Sequence, residues 1–219
     1  MNKQKATYRT IEDIGNASLV VRKSKFLSFA MPARSEGQIN EQLRSLKSHH
    51  PRARHICYAW RLNPLRPKLR AYDAGEPSGT AGKPILNEIL AMDLFNVAVY
   101  VVRYFGGIKL GTAGLRQAYR SAAYLALDDA TIITTTLCHH YALHFDYAHM
   151  PQVMELLKSS GAEIESQEFA DTPTLQFKIP IDVAPQMIPK LHQIVCPDQP
   201  LSTDNDVPAS SCIQHLFTA

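Results

Sequence analysis

Residues 96–105, "NVAVYVVRYF", limit the possible folds more than any other stretch of the chain. All but Asn96 and Arg103 are apolar, and valines dominate. That is the composition of a strand covered on both faces. "GGIKLGTAGL" follows at once with Gly106, Gly107, Gly111 and Gly114. From about Thr112 a helix is expected with Leu115, Ala118, Ala122 and Leu125 inward.

Upstream, Ser35 opens a Ser-x-x-Gln capping box followed by Ile39, Leu43 and Leu46 at helical spacing. The helix is expected over 36–49, because Pro51 disfavours helix just before itself. "HICYAW" alternates with the period of a strand, Ile56, Tyr58 and Trp60 against His55, Cys57 and Ala59. "RLNPLRPKLR" carries two prolines and reads as a basic loop. Pro84 suits the first turn of a helix bearing Ile85, Ile89 and Met92 on one face. This half is therefore α+β around one central strand.

Net charge conceals an asymmetry. Residues 1–130 hold 20 Lys/Arg against 10 Asp/Glu, while residues 131–219 hold 3 against 10. The sign changes at "DDATIITTT", residues 128–136, where periodicity is also lost, so a domain boundary is expected there, at 133/134. Beyond it the pattern reads strand 137–147, helix 149–160, strand 162–169, strand 174–181 and a Pro-interrupted helix 184–194. The tail is rich in turn residues, and only "CIQHLF" can supply a further strand. No stretch approaches the roughly 20 apolar residues of a membrane-spanning helix. The charged start, "MNKQKATYRTIEDIGN", is no secretion signal, and a cytoplasmic location follows by default. Cys57, Cys138, Cys196 and Cys212 form no CxxC pair and read as buried or half-buried thiols.

"DAGEPSGTAGKP", residues 73–84, gathers Gly75, Gly79, Gly82, Asp73, Glu76, Ser78, Thr80 and Lys83 in twelve positions. It is not a Walker A loop. That motif needs glycine at position 77 and Ser/Thr at 84, and proline occupies both. Two readings remain: acid/base chemistry by Asp73 and Glu76 with His55 and Arg103, or a fixed turn in which Asp73 bonds nearby backbone. The glycines of 106–114 admit either anion binding with Lys109, Arg103 and Arg116 or tight strand–helix packing. Arg52, Arg54, Arg61, Arg66, Lys68 and Arg70, interleaved with Tyr58, Trp60 and Tyr72, form a candidate nucleic-acid surface to which Lys83 adds charge. The alternation also allows Tyr58 and Trp60 to be core. His139, His140, His144 and His149 lack neighbouring ligands of the usual spacing, so no metal is expected, and no cofactor motif occurs.

"PRARHICYAW", "DAGEPSGTAGKP" and "VVRYFGGIKLGTAGL", in this order and spacing, resemble the YigZ/IMPACT family over about residues 15–192. The resemblance implies two domains: an N-terminal one similar to domain 2 of ribosomal protein S5 over 1–133, and in bacterial members a ferredoxin-like one over 134–219. The first fold is shared with a translocation-factor domain that enters the ribosome. Eukaryotic relatives, which carry a different second domain, regulate translation under amino-acid starvation by competing for an activator of an initiation-factor kinase. No catalytic residue is carried over. The matching positions, His55, Asp73, Gly75, Glu76, Pro77, Gly79, Thr80, Ala81, Gly82 and Pro84, then Arg103, Tyr104, Gly106, Gly107, Gly111 and Gly114, stand as a shared surface. Ala113 departs from the glycine common in the family.

Three functions are compatible with these residues: a translation-associated regulator that binds RNA or the ribosome, an enzyme with its acid/base site at the Asp73/Glu76 loop, and a module that regulates a stress pathway through a protein partner.

Overall fold

The computed structural model describes residues 7–204, 207–210 and 212–218. Residues 1–6, on which the reading of the start partly rests, and positions 205, 206, 211 and 219 of the tail lie outside the described residues. The chain forms two compact units, one over Tyr8–Thr135 and the other from Thr136.

In the first unit the elements are β1 (Thr7–Ile11), β2 (Gly15–Val21), β3 (Ser24–Pro32), α1 (Glu36–His49), β4 (His55–Leu62), β5 (Lys68–Tyr72), α2 (Gly82–Ala91), β6 (Val97–Tyr104), α3 (Gly111–Asp129) and β7 (Ile132–Thr136). Five strands form an antiparallel sheet in the order β2-β3-β6-β4-β5, and β1 pairs with β7. The valine-rich strand β6 is the centre of that sheet. Its Val97, Val99 and Val101 enter one core with Ile85 and Ile89 of α2 and Leu115, Ala118 and Ala122 of α3. Ala98, Tyr100 and Val102 enter a second core with Ile39 and Leu46 of α1. Strand alternation thus supplies both layers from one segment.

α1 begins where its cap requires. Ser35 Oγ accepts from the Gln38 amide at 3.2 Å, and the Gln38 side chain accepts from the Arg34 amide. Several elements differ from expectation. The basic segment 61–70 is not all loop: β4 runs on to Leu62 and β5 begins at Lys68, since Pro64 and Pro67 fall in the connection between them. Residues 132–136 form a strand where periodicity is lost. β4 is buried on both faces, so Tyr58 and Trp60 belong to the core. Leu125 points outward, and Tyr119 takes an inward position of α3.

The second unit contains β8 (Cys138–His144), α4 (Met150–Ser159), β9 (Glu163–Glu168), β10 (Thr174–Pro180), α5 (Ala184–Val195), β11 (Ser202–Asp204), β12 (Val207–Ala209) and β13 (Ile213–Thr218). Its sheet is antiparallel in the order β13-β8-β10-β9. "CIQHLF" does provide the remaining strand. Tyr141, Leu143, Leu175, Phe177 and Ile179 face Val153, Leu157, Ile188 and Leu191 of the two helices. Cys196 and Cys212 are joined by a disulfide, correcting their reading as thiols. The bond closes the 16-residue interval containing the β11–β12 hairpin and anchors the approach to β13.

Candidate functional site: a closed loop and an aromatic groove

The Asp73–Pro84 loop is an anion nest whose anion is its own first residue. Asp73 Oδ2 accepts from the Gly79 amide at 2.9 Å, while Oδ1 accepts from Ala81 and Gly82 at 2.9 and 2.8 Å. The last two amides open α2, so Asp73 caps that helix from outside, at the place where a phosphate would otherwise bind. Burial pushes the carboxyl up, and the three N–H donors outweigh it, leaving the group below its ordinary value. The chain can return on itself because Ala74 and Gly75 both have positive φ, 47° and 85°, and the Glu76 amide donates to the Asp73 carbonyl at 2.9 Å. That is the signature of a type I′ turn, for which glycine is suited.

Glu76 also turns inward. Arg103 Nη1 donates to its Oε1 at 2.6 Å and the Tyr119 hydroxyl donates to the same atom at 2.8 Å. His55 Nδ1 donates to the Ala74 carbonyl at 2.9 Å, and β4 sets His55 opposite Arg103 in register. Thr80 Oγ1 donates to the Pro77 carbonyl. The four acid/base candidates are therefore brought together, but each carboxylate already holds its partners. They fasten the loop to β4, β6 and α3.

Sequence reasoning missed Tyr119, Ser24 and Cys57 in this cluster. Cys57 Sγ lies 3.0 Å from the Asp73 carbonyl and 3.3 Å from the Tyr119 hydroxyl. Burial pushes its thiol up to about 12. Ser24 Oγ accepts from the Gly106 amide at 3.2 Å. Gly106 packs so closely on the β2–β3 turn that a Cβ there would overlap the backbone of Lys23. Tight packing accounts for this glycine. Gly79, Gly107 and Gly111 have positive φ, and Gly114 lies in the first turn of α3.

The predicted cations separate. Arg103 is buried with Glu76, and Arg61 points to the α2 side, pairing with Asp93 at 3.1 Å and lying 3.4 Å over the Phe95 ring. Neither is available to a ligand as expected. Lys83, Lys109 and Arg116 are exposed near the start of α2 and α3. Arg52, Arg54, Arg66, Lys68 and Arg70 are exposed around β4 and β5. There, on the α1 side of the sheet, a groove of about 340 Å³ is lined by Lys47, His50, Arg54, Tyr58 and Tyr72.

The histidines of the second unit do not converge. His139 bonds Thr218, His140 bonds Glu165 and His144 bonds Thr174. Among the described residues no group of three or more His, Cys, Asp or Glu side chains is placed to hold a metal ion. No described helix is long and apolar enough to cross a membrane.

Residues 22–127, which include the loop, the Gly106 turn and the groove, match the Impact N-terminal domain. Across a wider span the chain is 31% identical to IMPACT family member YigZ of Escherichia coli over 162 residues, 73% of this chain and 79% of that one. The chain belongs to the IMPACT family. It is also 36% identical to an IMPACT family member of Thermus thermophilus, over 74% of this chain and 87% of that one. The crystal structure of a hypothetical protein superimposes with a TM-score of 0.67 at 27% identity, covering 86% of this chain and 93% of that one. The mixed α+β architecture is shared with that structure. In this IMPACT chain, the quoted motifs supply the closed loop and two of the side chains that lock it, His55 and Arg103, while Tyr119 lies just beyond them.

Proposed function

We propose that this chain is a non-catalytic, cytoplasmic, translation-associated regulator whose basic first unit binds RNA, free or within the ribosome. Its first unit is read as an IMPACT-type domain similar to domain 2 of ribosomal protein S5. The second, with its βαββαβ order and 4-1-3-2 sheet, is read as ferredoxin-like. The observation that carries the proposal is the placement of Arg54, Lys68 and Arg70. All three are exposed; Arg54 lines an aromatic groove with Lys47, and Arg70 and Lys68 follow along β5 on the same face as its Tyr72. Cations so placed neutralise phosphates, and an open ring offers a stacking surface. Ribosome co-sedimentation tests this reading: wild-type protein pellets with ribosomes, and Arg54→Glu/Arg70→Glu stays in the supernatant. Equal pelleting of the two would refute it.

A second reading has its own observation. Tyr124 and Leu125 are exposed on α3 beside Arg120, and Arg120 and Arg116 line the neighbouring groove against α2, a mixed apolar and cationic surface suited to a regulatory protein partner. Nuclease treatment of a pull-down separates the two, since only the RNA-dependent association is lost.

A further inference from the structure

The RNA reading leaves open which part of a nucleic acid the first unit takes, and the groove beside β5 narrows it. Tyr100, Tyr58 and Tyr72 stand in successive strands as a run of tilted rings. Their centroids are 5.8 Å apart from Tyr100 to Tyr58 and 5.3 Å from Tyr58 to Tyr72. The inner two are buried, whereas Tyr72, at the sheet edge, is 49% exposed. The run thus ends on an open ring.

Around that ring the groove changes from apolar to cationic. Leu43, Ile56 and Tyr58 form its inner wall and Lys47, Arg54 and His50 its rim. Strand alternation sets Arg70 and Lys68 on the same face as Tyr72, because Tyr72 pairs with Tyr58 and Arg70 with Trp60. A volume of about 340 Å³ is at the lower end for small-molecule sites and admits one nucleotide, with no room for a duplex.

We infer that this groove is a slot for a single unstacked nucleobase, which extends the tyrosine run by stacking on Tyr72 while Lys47, Arg54 and Arg70 hold its phosphates. The inference rests on the RNA reading above and specifies its ligand: a base in a duplex offers no free face, so the slot takes single-stranded RNA. A free nucleoside monophosphate has the same chemistry, and the test must separate the two sources.

Fluorescence anisotropy with the full chain does so, using a labelled single-stranded RNA 10-mer, a labelled blunt-ended RNA duplex, and adenosine and uridine monophosphates as competitors. The 10-mer binds at least tenfold tighter than the duplex and than either monophosphate. Tyr72→Ala weakens the 10-mer about tenfold, within the range of base–aromatic stacking, and leaves duplex binding unchanged. Tyr72→Phe restores single-strand affinity, which a loss of folding would not allow. Duplex binding equal to the 10-mer and indifferent to Tyr72→Ala overturns the slot while the RNA reading stands. Monophosphates as tight as the 10-mer overturn the single-strand assignment. Binding of none of these probes overturns both.

Discussion

Arg103 Nη1 lies 2.6 Å from Glu76 Oε1, and the two side chains retain only 7% and 4% of their exposure. A buried pair of this kind holds structure by what its loss would leave behind: an uncompensated charge in the interior. Arg103→Ala is expected to cost about 3–5 kcal/mol, and the double change Arg103→Met/Glu76→Leu much less. Urea unfolding followed by the fluorescence of Trp60, the single tryptophan and a core residue of the first unit, checks the difference. If the double variant is as unstable as the single one, the pair is not what fastens the loop.

Asp73 is below its ordinary carboxyl value in the folded state. Such a group contributes stability that is present above its unfolded value, about 3.9, and is lost as pH falls through the folded one. Wild-type first-unit stability therefore declines on acidification below about pH 4, and Asp73→Asn, which carries no charge, loses that part of the decline. At pH 7, Asp73→Ala costs about 1–2 kcal/mol as a lost helix cap. Urea midpoints between pH 7 and pH 3 measure both effects.

How much of this was legible depends on distance along the chain. α1 was readable to the residue because Ser35 and Pro51 bracket it locally. The turn role of Asp73 was readable because its partners lie within nine residues. Glu76 with Arg103 and Tyr119 spans 27 and 43 residues, and only the tertiary fold, which sets the loop against β6 and α3, brings these together. The β2–β3 hairpin escaped notice for a different reason. Its turn residues, Arg22 and Lys23, have φ of 43° and 67°, yet neither is the Gly, Asn or Asp that marks a type I′ turn. The Cys196–Cys212 bond likewise has no local spacing signal.

Gly106 and Gly107 separate close packing from backbone conformation. Gly106→Ala drives a Cβ into the Lys23 backbone, whereas at Gly107 that space is empty and only the positive φ of 85° resists. Gly107→Ala costs about 1–2 kcal/mol, the penalty of left-handed backbone. Gly106→Ala is expected to cost more, since the hairpin must move. Thermal unfolding of the two variants gives the order, and the reverse order would contradict the packing seen here.

Burial raises the Cys57 thiol to about 12, so little thiolate forms at pH 8. Iodoacetamide in native conditions leaves Cys57 unmodified, and labelling appears when the first unit unfolds in urea. Mass spectrometry of the digested protein reads the site directly. Rapid native alkylation would place the Asp73 loop further from β4 than it stands.

The central claim is that the exposed cations around β4 and β5 bind RNA phosphates. Its most direct measurement is the affinity of the full chain for a labelled single-stranded RNA between 50 and 200 mM salt. Log K is expected to fall linearly with log salt, with a slope of about −2 to −3 for three or four phosphates engaged, and Arg54→Ala/Arg70→Ala should make it shallower by about one or more. A salt-independent affinity, or a slope that the double variant leaves unchanged, would contradict the account.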